Sequence, residues 1–261
     1  MLPFFSKKKL IVSGCSLTDN YASTQNLETF PIWPNLLAEK LNMECINLGK
    51  CGAGNKEIFS KLLDAIVKEK NVGLVVPMWT EFQRVSFFID SLNTWKSFHP
   101  DRDYLNAEWN DQFYKKDNPL KNQMAYIVSE NLRRFQMQGM EAGTMDSIRM
   151  MYTLQSICQH MGINYLQIQG CLPIMQKKNS GESDLCKIII DNDYFDKISS
   201  KTFIGWPIMP QISGNNCDSF LDKIDPDRKM FRISDEDSHP NALGHKEISE
   251  IIYDQYQKIY S

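Results

Sequence analysis

The chain has 261 residues, 42% of them hydrophobic and 23% charged, a composition that excludes a disordered, collagen-like or coiled-coil protein. Twenty-nine basic residues against 32 acidic ones leave a net charge of −3, which argues against non-specific nucleic-acid binding, where many phosphates must be met by cations. The apolar runs at 10–12 and 74–78 fall far short of the about 20 residues of a membrane-spanning helix, and apolar residues 1–5 ahead of the basic residues 7–9 reverse the order of a signal peptide, so the expected location is cytoplasmic.

In chain order, short β-like runs alternate with helical periodicity, the pattern of an α/β domain with a parallel sheet. A strand is expected at 9–13 and a loop at 14–29. A helix is expected at 31–41, with Trp33, Leu36, Leu37 and Leu41 on one side. A second strand covers 45–48. Residues 52–55 open a helix that reaches about Lys68, its stripe formed by Ile58, Leu62, Ile66 and Val67. Residues 73–77 are continuously apolar, as in a strand buried on both faces.

The stretch 80–118 is irregular and rich in aromatics: Phe82, Phe87, Phe88, Trp95, Phe98, Tyr104, Trp109, Phe113 and Tyr114. These read as packing residues, or, if exposed beside a site, as platforms for a sugar ring or acyl chain. Two helices follow. One carries Met124, Ile127, Val128, Leu132 and Phe135, the other Met145, Ile148, Met151, Tyr152 and Ile157. Gly162 ends the second, and 163–168 is a fourth strand. Residues 170–227 are mixed, with a fifth strand near Phe203 or Phe231. The last helix spans 242–259, with Ile248, Ile251, Ile252, Tyr256 and Ile259 on one face. The whole reads as one domain over 1–261 with an aromatic-rich insertion at about 80–118.

Seven cysteines (Cys15, Cys45, Cys51, Cys158, Cys171, Cys186 and Cys217) form no CxxC. They read as reduced thiols, mostly buried as small apolar groups. No histidine falls at zinc-finger spacing, so neither a metal nor a cofactor is expected.

Three segments fall where a parallel sheet places its ligands, past the C-terminal ends of strands. Ser13-Gly14-Cys15-Ser16-Leu17-Thr18 follows the first strand. Glycine there permits a sharp turn that exposes the Ser16 hydroxyl. Such serines are also common simple turn residues. Asn47-Leu48-Gly49-Lys50-Cys51-Gly52-Ala53-Gly54-Asn55 follows the second strand. Its backbone N–H groups at a helix N-terminus suit an oxyanion, and Asn55 adds either a side-chain donor or a helix N-cap. GxGxxG and Walker patterns are missing, which disfavours a nucleotide site. Asp235-Glu236-Asp237-Ser238-His239-Pro240-Asn241-Ala242-Leu243-Gly244-His245 precedes the last helix. Asp237 or Glu236 can hold His239 in the tautomer a general base requires, though the same residues could simply cap a helix. Together the three supply a nucleophile, oxyanion donors and an oriented base, the parts that acyl transfer needs.

Ile11-Val12-Ser13-Gly14-Cys15-Ser16-Leu17, Asn47-Leu48-Gly49-Lys50-Cys51-Gly52 and Asp237-Ser238-His239-Pro240-Asn241-Ala242-Leu243-Gly244-His245 resemble, in order, the first, second and last blocks of the SGNH hydrolases, the GDSL esterase/lipase superfamily. The resemblance implies a three-layer α/β/α sandwich around a parallel, flavodoxin-like sheet. It implies Ser16 as nucleophile, His239 as base and Asp237 as orienting acid, with Ser16 and Gly52 donating backbone N–H groups to the oxyanion. Cys15 stands where the family has Asp. The third block, normally Gly-x-Asn-Asp, is replaced by Met78-Trp79-Thr80-Glu81-Phe82. Asn55 is preferred over Thr80 as the replacement donor, since its amide is a neutral N–H donor. Asp237 is preferred over Glu236 as the acid.

The expected activity is cleavage of a small acyl ester, such as an O-acetyl group on a carbohydrate, through an acyl-enzyme. The partner is then a small-molecule or glycan ester, with no nucleic acid and no membrane span. An O-acyltransferase on the same scaffold and an inactive glycan-binding module are the alternatives. His245 reads as structural or surface, His99 and His160 stand outside any motif, Cys15 is a weak rival nucleophile, and Arg84 reads as a helix-surface ion pair.

Overall fold

The computed structural model describes residues 6–24, 28–99, 119–135, 137–174 and 182–261. Its centre is a parallel sheet. Strand β1 (Lys9–Ser13) pairs on one side with β2 (Glu44–Asn47) and on the other with β3 (Val72–Trp79). Beyond β3 lie two short strands, which become β6 (Gln167–Gln169) and β7 (Phe203–Ile204) once the hairpin below is counted. The spatial order β2-β1-β3-β6-β7 is the flavodoxin-like order, and it reverses direction at β1/β3, where such sheets bind their ligands.

Why this sheet is covered on both faces is readable in β1 and β3. Successive side chains of a strand point to opposite faces. Leu10, Val12, Leu74 and Val76 meet α2 (Trp33–Lys40) and the last helix α8 (Ala242–Tyr260) through Trp33, Leu37, Ile248 and Ile252. Ile11, Val75 and Trp79 meet α3 (Asn55–Lys68) and α5 (Met140–Met161) through Ile58, Leu62, Ile148 and Leu154. The result is three layers, helix on sheet on helix, as the sequence leads one to expect. The remaining helices are α1 (Tyr21–Thr24), α4 (Pro119–Arg134), α6 (Glu182–Ile190) and α7 (Cys217–Ile224). The fifth strand lies at Phe203 rather than Phe231. Gly162 closes α5 at φ 66, a left-handed conformation that favours glycine.

Val85–Ile89 (β4) and Thr94–Phe98 (β5) form an antiparallel hairpin, turned through Asn93 at φ 45. Its Phe98 is buried, as is Phe82 just before it, whereas Phe87 and Phe88 are exposed. Tyr104, Trp109, Phe113 and Tyr114 lie outside the described residues. Among the described residues no helix is long and apolar enough to cross a membrane.

Candidate active site

Ser16 sits in the turn that leaves β1. The Cys15 carbonyl accepts from the N–H groups of Thr18 and Asp19 at 2.9 and 3.0 Å, which folds the chain back tightly. A Cβ on Gly14 would lie 2.1 Å from Thr18 Oγ1, so only glycine permits the turn. Cys15 itself is buried, which removes it as the exposed nucleophile, and Ser16 is half-buried.

His239 reaches Ser16 from the far end of the chain. Its Nε2 lies 2.9 Å from Ser16 Oγ, and its Nδ1 lies 2.6 Å from Asp237 Oδ1. Glu236 is exposed, and it is the Asp237 carboxylate that meets the ring. Burial pushes the Asp237 carboxyl up, but the backbone N–H and ring of His239 and the Tyr21 hydroxyl outweigh it and hold the group below the usual range. An ionised carboxylate only accepts. The ring proton therefore sits on Nδ1, and Nε2 presents its lone pair to the Ser16 hydroxyl.

The loop carrying His239 is held from beneath. Arg232, 3% exposed, donates to Ser238 O at 3.0 Å, Asp218 Oδ1 at 2.8 Å and Asp222 Oδ1 at 2.7 Å. The Ile233 N–H donates to the His239 carbonyl at 2.9 Å. Asn241 accepts from the N–H groups of Leu243 and Gly244, capping α8, while its amide donates to Met230 O and Arg232 O. One turn on, His245 is buried, and its Nδ1 accepts from the Trp33 N–H at 3.3 Å. It thus serves as a tertiary cap for α2, whose own Ile32 cap position offers no side-chain acceptor. Burial, with the His239 ring adding to it, pushes His245 down to about 4. His160, by contrast, is exposed.

The glycine loop after β2 is stapled to the Ser16 turn. Asn47 Nδ2 donates to Thr18 O at 2.7 Å, the Cys51 N–H donates to Asp19 Oδ2 at 2.8 Å, and the Lys50 N–H donates to Gly14 O at 3.0 Å. Gly52 adopts φ 79, a conformation that disfavours any side chain. Among the described residues, the N–H groups of Ser16 and Gly52 donate no backbone hydrogen bond.

The hairpin braces the same loop from outside. Lys50 Nζ donates to Trp95 O at 2.7 Å, and the Gly54 N–H donates to Ser97 Oγ at 3.0 Å. Ser97 in turn donates to Glu57, a buried carboxylate flanked by Lys50 and Lys61.

Asn55 is turned away from this setting. Gly54 occupies the N-cap position of α3, and Asn55 is its first residue. The Asn55 side chain is 2% exposed. Its Oδ1 accepts from the Thr80 N–H at 2.8 Å, and its amide donates to Thr80 O and Ser147 Oγ. Both amide hydrogens are thus spent on the backbone after β3 and on α5, which corrects the expectation that Asn55 donates to an oxyanion. It also corrects the alternative of Asn55 as helix cap. Thr80 is fully buried, with its Oγ1 3.8 Å from Cys171 Sγ. Arg84 is not on a helix. It precedes β4, pairs with Glu81, and donates to Ala53 O at 3.0 Å. Burial pulls the guanidinium down, but the Glu81 carboxylate more than offsets this and keeps it charged.

Arg232 escaped the sequence reading, as did two residues that touch the site directly. Asp19 ties the two loops together, and Tyr21 stacks on His239 and donates to Asp237. Past the ends of β3 and β6 a cleft of about 440 Å³ opens, lined by Glu81, Cys171, Gln211, Asn216, Asp218 and Ser219 among others.

No family model and no curated protein sequence matches the chain. Among solved structures, it is similar to a catalytic mutant of Axe2, an acetylxylan esterase from Geobacillus stearothermophilus (11% identity, 96% of this chain and 94% of that one, TM-score 0.48). It is similar to the acetyl xylan esterase AlAXEase (14%, 94% and 98%, TM-score 0.47). It is also similar to LAE5, an alpha/beta hydrolase enzyme from the metagenome of Lake Arreo, Spain (11%, 99% and 99%, TM-score 0.47). Lipolytic proteins of the G-D-S-L family are among the similar structures too.

Proposed function

We propose that this chain is a serine ester hydrolase of the SGNH type, with Ser16 as nucleophile, His239 as general base and Asp237 as the acid that orients it. The observation that carries the reading is the continuous line from Ser16 Oγ through both nitrogens of His239 to Asp237, at 2.9 and 2.6 Å. That geometry is what an activated hydroxyl requires.

Ser16 Oγ attacks the ester carbonyl carbon while its proton passes to His239 Nε2. The Asp237 carboxylate stabilises the imidazolium. The oxyanion rests on the N–H groups of Ser16 and Gly52. His239 then gives its proton to the departing alcohol, leaving an acyl-Ser16. Water, deprotonated by His239, attacks that acyl group and restores the serine as the acid leaves. With Asn55 committed elsewhere, the pocket works with two backbone donors, and each donor is typically worth about 10²–10³ in turnover. Slow turnover is therefore expected. The substrate class we propose is a short acyl ester of a hydroxylated alcohol, such as an O-acetyl sugar.

The test is fluorophosphonate labelling with the modified residue mapped by mass spectrometry. An adduct on Ser16 is expected, absent in Ser16→Ala and strongly reduced in His239→Ala, with ester cleavage lost in step. No adduct on folded wild-type protein, or full turnover by pure Ser16→Ala, refutes the reading.

A further inference from the structure

Tyr21 has no part in the scheme above, yet it touches two of its three residues. The phenol ring lies flat against the His239 imidazole, with centroids 3.8 Å apart and planes 16° from parallel. Its hydroxyl donates to Asp237 Oδ2 at 3.2 Å. The other carboxylate oxygen, Oδ1, already accepts both the ring Nδ1 and the backbone N–H of His239. One side chain thus covers a face of the base and fills the remaining oxygen of its acid. It does so from a buried position, at 8% exposure, on the short helix directly after the Ser16 turn.

An imidazole bonded through Nδ1 alone can still rock out of the plane that aims Nε2 at Ser16. A stacked aromatic wall removes that motion on one side, and the hydroxyl fixes the carboxylate that holds the other. We propose that Tyr21 is a positioning residue: it clamps the His239 ring in the plane facing Ser16 and shares the negative charge of Asp237. Its effect on reaction rate rests on the hydrolase reading; its effect on the ring does not.

Several titratable and charged groups surround this imidazole. Asp237 lies on its own loop, Tyr21 on α1, His245 at the start of α8, and Arg232 reaches the loop at Ser238 O. Cys51, on the glycine loop, acts on Tyr21. Burial, followed by the Asp237 charge, pushes the Tyr21 phenol up, so at working pH it is a neutral donor and never a competing base.

Two variants separate the two contacts. Tyr21→Phe keeps the stacked ring and loses the hydroxyl. Tyr21→Leu loses both. With the hydroxyl gone, the carboxylate keeps more of its charge for the imidazolium, so the ring holds its proton to higher pH. The acid limb of the fluorophosphonate labelling profile should move upward in Tyr21→Phe, with the plateau rate down about 10-fold, the lower end of the range for a hydrogen bond to a charged group. Tyr21→Leu should lose about 100-fold, the usual scale for a misaimed catalytic group.

The second readout needs no turnover. The Nδ1–H resonance of His239, assigned by its loss in His239→Ala, should stay sharp but shifted in Tyr21→Phe, and broaden through exchange in Tyr21→Leu. A purely structural role would lower the melting temperature without moving the acid limb or the Phe-variant resonance. An unchanged resonance and pH profile in both variants overturns the positioning role. If wild type fails to label while the resonance behaves as expected, the hydrolase reading falls and the positioning role stands.

Discussion

His245 makes the folded chain sensitive to acid in a way that can be calculated. Its Nδ1 accepts the first N–H of α2, so the folded state needs the neutral ring. In the unfolded chain the ring takes a proton near 6.5, and in the folded one only at about 4. Between those values the unfolded state holds more protons. The stabilisation from the neutral ring is therefore complete above about pH 6.5 and is lost as pH falls towards 4, at about 1.4 kcal/mol per pH unit. Across the whole interval that is about 3 kcal/mol, a large part of the stability of an ordinary domain. His245→Asn keeps an oxygen for the Trp33 N–H and removes the titration. Urea unfolding of wild type and variant, followed by tryptophan fluorescence from about pH 7.5 to about pH 4.5, isolates the effect, since the carboxylates are common to both. Wild type should lose about 2–3 kcal/mol more than the variant over that range. Parallel curves would refute the argument, and with it the role of His245 as a cap.

Two further substitutions probe the supports of the site. Arg232→Met leaves Asp218 and Asp222 without their shared cation and frees the Ser238 carbonyl; because Asp222 is partly solvated, the loss should be about 2–3 kcal/mol in denaturant unfolding, below that for a fully buried pair. Asn55→Ala strands the buried Thr80 N–H, while the Thr80 carbonyl keeps the Gln169 amide, so it should cost about 1–3 kcal/mol of stability. Ester turnover per folded molecule should fall far less than the about 100-fold expected on removal of an oxyanion donor, and a kinetic loss of that size at unchanged stability would restore Asn55 to the oxyanion pocket.

β1 to β3 and the three site loops were legible because their signals are local, whereas the fourth strand, expected at 163–168, is Gln167–Gln169. β1 and β3 are unbroken apolar runs, buried on both faces, and the glycines and the Asp-x-His segment follow one another within a few residues. Tyr21 carries no such signal. It stands in a polar run beside Asp19 and Asn20, and its partner Asp237 is 216 residues away. Arg232 is similar: its meaning depends on two aspartates brought to it by α7. Asn55 shows the opposite failure. Its type and place suited an oxyanion donor, but the fold spends its side chain on the Thr80 backbone and on Ser147, contacts that no local pattern announces. The hairpin was readable after all, in the β-branched and aromatic residues flanking Asp90-Ser91-Leu92-Asn93, had aromatic density not masked its alternation.

The Ser16–His239 contact joins positions 223 residues apart, and this has a bearing on the protein's birth. A ribosome delivers the hydroxyl first and the imidazole last. At about 5–20 residues per second the interval is roughly 10–45 s. Through that time Ser16 is an ordinary alcohol, however well the first half of the sheet has formed. By the reading above, ester cleavage cannot begin before the loop ahead of α8 has been made and has met the Ser16 turn, so the chain becomes reactive only once two distant stretches of it are joined.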